Sequence, residues 1–321
     1  RSDDLPRQAT SGWQRADIWT SAESGGAALA SLLTGRYPDG HGLIKRGDRL
    51  NDKLPPLATV YRQAGAHTIL RAGHSPQAKE KALWTGYDDA LFASEAKFGH
   101  TAEGVFTALA EAIKASPKET FFATALLGDL LPPYLPRADA WRAHWPEPRK
   151  PLWDPLKGRQ KLQDLRSASK PSPAKERDFW SALRRGKVDE VLSALEGFIS
   201  QLGDTSKTRI VLVGLAGSDV EPLTTLPDLA LLRAPLLLYG DTKGTLNLGP
   251  TDLSDVHATL ALLGGATATE RAGRVFTAPE PARWSDLAYA SIADRWEYAF
   301  GPRSILVHDR QSGKRHRFKR E

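Results

Sequence analysis

A stretch of thirteen residues, ASLLTGRYPDGHG at positions 30–42, constrains this chain more than any other feature of its sequence. Its first residues are small or apolar, and they favour a buried helical turn. Gly35 can end that helix because glycine tolerates the left-handed backbone conformation. Pro38 prevents the helix from continuing, and the Asp39-Gly40 pair is typical of a tight turn. The residues alone therefore predict a buried helix end followed by a turn.

The same letters resemble the segment that follows the nucleophile in the sulfatase branch of the alkaline-phosphatase-like superfamily. In that family the nucleophile is a Cys or Ser, followed by x-Pro-x-Arg and then by Ala-Ser-Leu-Leu-Thr-Gly-Arg-Tyr-Pro. Here the nucleophile position falls on Gly25, and the proline and arginine positions fall on Ala27 and Leu29. The resemblance therefore implies a sulfatase-like chain that lacks its nucleophile and the arginine beside it.

Further segments resemble the family in the same order along the chain. They are residues 57–70, 121–134, 179–202, 210–217, 232–240 and 252–260. The resemblance runs, with gaps, from about Ser24 to Asp309. It implies an α/β fold with a mostly parallel sheet flanked by helices and a small antiparallel sheet at the carboxyl-terminal end. The alternation of apolar strands with amphipathic helices favours the same fold class.

Three more positions depart from the residues that the family uses for metal binding and catalysis. The strand 210–217 ends Ser-Asp-His-Gly in the family, where the Asp and His bind the metal, but Leu215 and Ala216 stand there in this sequence. Leu131 occupies the place of an active-site histidine after the strand 121–127. Neither leucine nor alanine offers an oxygen or nitrogen atom to a divalent cation. We therefore expect no cofactor, and a divalent metal only if ligands come from outside these residues.

Two polar residues are weak catalytic candidates. Ser24 lies one residue before the nucleophile position, but a serine hydroxyl without a metal or an adjacent base is a poor nucleophile. His74 follows a strand that ends near an active-site lysine and histidine in the family; otherwise it is a surface histidine. A Ser-His-Asp triad stays possible because its chain order is free, although the sequence contains no Gly-x-Ser-x-Gly motif.

Composition excludes several kinds of chemistry. The chain has no cysteine, which excludes disulfides, thiolate metal sites, a cysteine nucleophile and a formylglycine made from cysteine. Its net charge of +6 comes partly from a basic tail at 314–320, which either is solvated surface or binds an anionic surface. We find no nucleic-acid-binding motif and no apolar run approaching the roughly 18 residues of a membrane span.

The sequence predicts one domain over residues 1–321. Residues 141–175 are rich in Trp, Pro, Arg and Lys and form an insertion, whose tryptophans either cover the core or contact a protein partner. Residues 285–321 hold the antiparallel strands and the basic tail. Residues 1–5 resemble the segment after the family's first strand, so that strand either precedes Asp3 outside the given residues or is absent.

Three functions are consistent with these observations. The first is a catalytically degenerate sulfatase-like domain that serves as a binding or scaffold module, in the periplasm or outside the cell. The second is a hydrolase or transferase of sulfate or phosphate esters with ligands from elsewhere, and the third is a metal-free hydrolase using Ser24. Under the first, the former site should be collapsed and apolar, lined by Leu29, Leu131, Leu215 and Ala216.

Overall fold

The structure is a computed structural model, and it describes most of the 321 residues. The described residues are 13–22, 24–44, 48–51, 53–74, 82–94, 100–131, 134–145, 151–158, 160–161, 164, 173–215, 232–240, 251–265, 288–292, 296–300 and 304–319. The segment 1–12 and residue Ala216, both of which carry sequence predictions, lie outside the described residues.

A three-stranded parallel sheet forms the first half of the domain. It contains β2 (His67–Ala72), β3 (Asp89–Phe92) and β4 (Phe121–Leu126) in the order β3-β2-β4. The central strand, β2, is almost wholly buried. Buried apolar strands of this kind suit a parallel sheet that is covered on both faces.

A second three-stranded sheet has antiparallel ladders. It contains β1 (Gln14–Trp19), β5 (Ile210–Val213) and β6 (Arg233–Tyr239), with β6 in the centre. Residues 13–19 could have formed a helix or a strand on sequence grounds. The structure shows a strand, paired with β6 from Gln14 opposite Leu238 to Trp19 opposite Arg233.

Seven α-helices have both of their ends within the described part of the chain. They are α1 (Gly25–Thr34), α2 (Pro38–His41), α3 (Leu57–Gln63), α4 (Ala102–Lys114), α5 (Ala138–Arg142), α6 (Ala174–Leu202) and α7 (Leu253–Leu263). The helix predicted to begin at Phe179 starts five residues earlier. Pro173 directly precedes it, and proline is compatible with a helix start because it needs no intrahelical partner for its nitrogen.

Local chemistry explains where two of the helices begin or end. Gly35 ends α1 with φ at 67°, as the sequence predicts, and its backbone N–H donates to the carbonyl of Ser31. Asp252 begins α7 by accepting hydrogen bonds from the backbone of Ser254 and Asp255, and the Asp255 side chain accepts one from the Asp252 backbone. This reciprocal capping box satisfies backbone donors that the first helical turn cannot pair internally.

A four-stranded antiparallel sheet lies at the carboxyl-terminal end, as predicted. Its strands are β7 (Ala288–Ile292), β8 (Trp296–Phe300), β9 (Ser304–Asp309) and β10 (Arg315–Lys319), in the order β10-β9-β8-β7. Residues 315–319 of the basic tail therefore form an edge strand. The turn before β10 contacts α2 through an ion pair of 3.1 Å between Arg310 and Asp39.

The α/β architecture predicted from the sequence is confirmed. Parallel strands, flanking helices and a small antiparallel carboxyl-terminal sheet are all present. None of the helices in the described ranges is long and apolar enough to cross a membrane.

Candidate functional site

The start of α1 carries the nucleophile position and the serine beside it. Ser24 precedes the helix with an extended backbone, and both Ser24 and Gly25 are exposed. Within the described part of the chain, the Ser24 hydroxyl has no hydrogen-bond partner. A side chain added at Gly25 would meet no atom within 4 Å. The nucleophile position therefore faces open space, and it presents no functional group there.

One turn further along α1, the arginine position is part of the core. Leu29 is 6% exposed and packs in a cluster with Leu33 on the same helix and with Leu70 and Ala72 of β2. An arginine here would bury a guanidinium among apolar side chains, which is costly without a partner. For Leu29, the prediction of an apolar core residue is confirmed.

Leu215, at the first metal-ligand position, lies beside the turn that leads into α1. Its backbone carbonyl accepts a hydrogen bond of 2.6 Å from the hydroxyl of Thr20. The same hydroxyl also contacts the carbonyl of Ala22 at 2.9 Å. The Leu215 side chain is half-buried and packs against two apolar clusters. The structure thus brings Leu215 close to the nucleophile turn, with an apolar side chain where a ligand would be needed.

Leu131 contradicts the prediction of a collapsed apolar site. It is 61% exposed, and its neighbour Leu130 is 44% exposed. The backbone of Leu131 donates to the carbonyl of Gly128, which curls the segment into a turn at the surface. The expectation that Leu131 fills a collapsed core is therefore wrong, because this turn points the leucine into solvent.

The residue two positions earlier is buried instead. Asp129 follows β4 with a side chain that is 4% exposed, and its Oδ1 atom lies 3.3 Å from Nζ of Lys187 on α6. Lys187 also donates to Glu190 at 2.8 Å. Burial disfavours the charged lysine, but the hydrogen bond to Glu190 and the two carboxylates outweigh it, so the pKa of Lys187 is raised. This network anchors the turn after β4 to α6.

His74 lies at the carboxyl end of β2, next to the end of β4. The preceding Gly73 donates its backbone N–H to the carbonyl of Leu126 at 2.8 Å, and His100 contacts the Gly73 carbonyl at 2.7 Å. His74 is half-buried there. Because the Ser24 hydroxyl has no partner within the described part of the chain, the structure does not pair it with His74. The serine-based mechanism therefore lacks its base here.

A buried serine–histidine contact, which the sequence analysis missed, follows α1. Oγ of Ser31 lies 3.0 Å from Nε2 of His41, and both residues are 0% exposed. The backbone N–H of Leu43 donates to Nδ1 of His41 at 3.1 Å, so the neutral ring carries its proton on Nε2 and donates to the serine. Burial lowers the pKa of His41 to about 4. This tautomer cannot deprotonate Ser31, so the contact is structural.

A second polar contact joins the segment after α1 to the start of α7. The Tyr37 hydroxyl donates to Oδ2 of Asp252 at 2.9 Å. Burial and the charge of Asp252 raise the pKa of Tyr37 far above its ordinary value, so it stays a donor. His257 on α7 contacts the carbonyl of Leu32 at 2.9 Å and packs against Gly35. These contacts give His257 a structural role.

The residues described do not fit a divalent metal at these positions. No group of three or more His, Asp or Glu side chains suited to a cation occurs in the part of the chain that the structure describes. Leu215 has no donor atom, and Asp129 is already paired with Lys187. That the chain holds no metal stays a prediction, which elemental analysis can test.

The tryptophans of the insertion turn inward. Trp141 and Trp145 are 6% and 2% exposed, and both pack edge-to-face on Phe179 of α6. Trp153 packs on the same phenylalanine, with ring centroids 4.7 Å apart. The sequence left two interpretations of these tryptophans, and the structure favours the one in which their rings cover the core. A partner that contacts this segment would meet other side chains, such as Leu156, which is 72% exposed.

No protein-family model and no curated protein matches the sequence. Solved structures nevertheless share its fold at low identity. A phosphonate monoester hydrolase of Agrobacterium radiobacter matches 99% of this chain and 84% of its own at 14% identity, with a TM-score of 0.71. A putative sulfatase from Bacteroides thetaiotaomicron matches 97% and 78% at 13% identity, with a TM-score of 0.68. An alkaline-phosphatase-superfamily protein from Vibrio parahaemolyticus matches 95% and 74% at 15% identity, with a TM-score of 0.59.

Proposed function

Because this chain has the α/β fold of sulfatases and phosphonate monoester hydrolases in the alkaline-phosphatase superfamily, we propose that it is a catalytically degenerate member of that fold. In this proposal it acts as a binding or scaffold module. A shared fold supports many functions, so the argument rests on the site itself. The observation that carries it is Gly25, which is exposed at the nucleophile position and has no side chain.

Two further features support the loss of catalysis. Ester transfer needs an activated nucleophile and groups that stabilise the developing negative charge. Leu215 offers neither a metal ligand nor a hydrogen bond from its side chain, and Leu29 places an apolar group in the core where a cation would be required. These positions lie on different elements, so no single neighbouring residue could restore all of the missing groups.

Catalysis can be tested with three aromatic probes, namely an aryl sulfate, an aryl phosphate and an aryl phosphonate monoester. We expect no hydrolysis above the buffer rate, either alone or with added Ca²⁺, Mg²⁺, Mn²⁺ or Zn²⁺. We also expect elemental analysis of the purified protein to find far less than one metal per chain. Two results would overturn the proposal. They are metal at about one equivalent per chain, and turnover that is absent from a mock preparation made in the same way without the protein.

Variants separate the possible sources of any activity. Gly25→Ser restores a hydroxyl at the nucleophile position, and we expect it to stay inactive because Leu215 still supplies no ligand. If the unmodified chain is active, Ser24→Ala distinguishes the metal-free alternative from the metal-dependent one. Activity that disappears in this variant without loss of stability supports Ser24, whereas activity that persists and is lost with a chelator supports an ester hydrolase whose ligands come from other residues.

The binding role has two candidate surfaces. We propose that a protein partner contacts the exposed side of the insertion, where Leu156 and basic residues face solvent. An anionic surface is the second candidate, contacting the exposed arginines of β10. Co-sedimentation with anionic and neutral lipid vesicles tests the second. Binding that is insensitive to salt, or unchanged in the Arg315→Ser/Arg317→Ser variant, would argue against it.

A further inference from the structure

Four exposed leucines lie in the turn after β4 and in the insertion. They are Leu130, Leu131, Leu135 and Leu156, and the last is the most exposed large apolar side chain in the described part of the chain. Single exposed leucines are ordinary on protein surfaces, whereas a group of them on one support marks an interaction surface. Whether these four form such a surface depends on what holds them.

Leu135 and Leu156 are held beside the same tryptophan of α6. Tyr134, directly before Leu135, packs on Trp180 with ring centroids 5.1 Å apart. Trp153, three residues before Leu156, packs on the same ring with a centroid distance of 6.3 Å. The turn after β4 and the insertion therefore meet over one ring, and each presents a leucine to solvent next to that contact.

Leu130 and Leu131 are held two helical turns further along the same side of α6. Asp129, directly before them, pairs with Lys187, which follows Trp180 by seven residues. Residues seven apart lie on one side of an α-helix, about 10 Å from each other along its axis. All four leucines are therefore supported by one side of α6, and we call them the leucine face.

The insertion, which supplies part of the leucine face, carries the chain's excess of positive charge. Residues 141–175 contain nine Lys or Arg and three Asp or Glu, an excess equal to the net charge of +6 of the whole chain. The charges of the other residues therefore balance. Lys157, next to Leu156, is exposed. A face that combines leucines with surplus positive charge is complementary to a partner with apolar and acidic side chains.

Charge also distinguishes between the possible occupants of the leucine face. A second copy would bring the same basic segment against itself in a two-fold symmetric contact, so like charges would repel. Asp154 accepts a hydrogen bond from the Leu156 backbone, which fixes a carboxylate two residues from this leucine. An anionic membrane would bring its negative surface against that carboxylate. A polypeptide can pair the carboxylate or leave it in solvent, so these observations favour a protein.

We infer that the leucine face binds an amphipathic helix of another protein, with apolar residues along one side and Asp or Glu beside them. The four leucines come from turns and from a short 3₁₀ helix, Pro155–Lys157, so the face offers side chains and not the free backbone row of a sheet edge. A helix meets such a surface with its apolar stripe. The inference rests on the binding role proposed above. Ester hydrolysis would refute only the loss of catalysis, however, and absent helix binding would refute only this inference.

Binding of designed peptides, measured by fluorescence anisotropy, tests the inference. The probe is EELAELLEELAELLEE, whose leucines form one stripe when it is helical. One control, KKLAKLLKKLAKLLKK, replaces each Glu with Lys, and the other, ELEEALELEELLAELE, keeps the composition without the stripe. The natural chain is used with any residues that precede Arg1, so that a segment of its own on the leucine face would prevent binding. We expect the probe to bind at least tenfold more tightly than either control, and less tightly as the salt concentration rises.

Paired substitutions locate the binding position. Leu131→Ser/Leu156→Ser should weaken binding of the probe at least tenfold, whereas Leu262→Ser/Leu263→Ser, which changes two exposed leucines at the end of α7, should leave it unchanged. Both variants should keep the urea unfolding midpoint of the unmodified protein, because all four side chains are exposed.

Several results would overturn the inference. They are a probe that does not bind, a control peptide that binds as tightly as the probe, and equal binding of the probe by the two double variants. Self-association of the protein, or binding to vesicles of equal parts phosphatidylglycerol and phosphatidylcholine, would also overturn it if the Leu131→Ser/Leu156→Ser variant loses that property. The leucine face would then contact a second copy or a membrane instead of a helix.

Discussion

His41 should make the fold sensitive to mild acid. Its ring is fully buried, accepts a hydrogen bond from the Leu43 backbone and donates to Ser31. Burial lowers the pKa of His41 to about 4, whereas a histidine in an unfolded chain titrates near 6.5. The folded state therefore binds a proton at His41 less tightly than the unfolded state does. The stability that the neutral ring provides is complete above pH 6.5 and is lost as the pH falls towards 4.

The size of this effect follows from the two pKa values. Between pH 7.5 and pH 4.5 the unfolded chain gains nearly one proton at this site and the folded chain gains about a quarter of one. Integration over that interval gives a loss of about 2.5 kcal/mol in the free energy of unfolding. This is a large fraction of the roughly 5–15 kcal/mol that stabilises a typical domain.

Urea unfolding at pH 7.5 and pH 4.5 measures the loss. His41→Gln removes the titrating group, so its stability should change less over this interval than that of the unmodified protein, by about 2.5 kcal/mol. Ser31→Ala is the matched control, since it removes one hydrogen bond but keeps the buried ring. It should cost about 1 kcal/mol at pH 7.5 and keep the same pH dependence. If His41→Gln loses as much stability in acid as the unmodified protein, the assignment is wrong.

Three other predictions, two of them with a matched control variant, test the local structure by urea unfolding. Gly35→Ala should cost at least about 2 kcal/mol, because the residue has φ at 67° and the new carbon would lie 2.5 Å from a carbon of the His257 imidazole. In the control Gly25→Ala the new carbon meets no neighbour, so this variant should leave stability unchanged or raise it. Leu215→Asp should cost about 2–3 kcal/mol because it places a carboxylate between two apolar clusters, and Leu131→Asp, in solvent, should cost under about 0.5 kcal/mol; equal losses would refute the assigned burial. Tyr37→Phe should cost about 1–3 kcal/mol by removing the donor to the buried carboxylate that begins α7, and an unchanged unfolding midpoint would show that this hydrogen bond contributes nothing.

Local signals in the sequence predicted the helices and the core well. In the sequence, Val105, Leu109 and Ile113 are spaced for one face of a helix, and the structure shows α4 there, with the Thr101 hydroxyl accepting from the Gly104 backbone at its start. The apolar run at 121–127 predicted a strand, which the structure shows as β4 with most of its residues half-buried. These features depend on neighbours within a few residues, so the order of residue types was sufficient to find them.

Other features depend on distant contacts and could not be predicted in this way. The resemblance located Leu131 after a strand, but the direction of its side chain depends on how the following turn is held, and Asp129 rather than Leu131 is anchored to α6. The insertion's tryptophans face α6 because their rings pack on Phe179 of that helix. Composition alone could not distinguish buried rings from exposed ones. His41 was missed because its partner Ser31 lies ten residues earlier on another helix.

The strand β10 has a consequence for solubility. It lies at the edge of the carboxyl-terminal sheet and carries Arg315 and Arg317, which are exposed. Like charges on an edge strand repel a second copy that approaches in register, so they oppose intermolecular pairing. The strand beneath it, β9, has the sequence SILVHD and lacks such protection. A chain cut after Asp309 would present that apolar edge to solvent. If it aggregates when concentrated, the basic residues of β10 prevent pairing between copies of the chain.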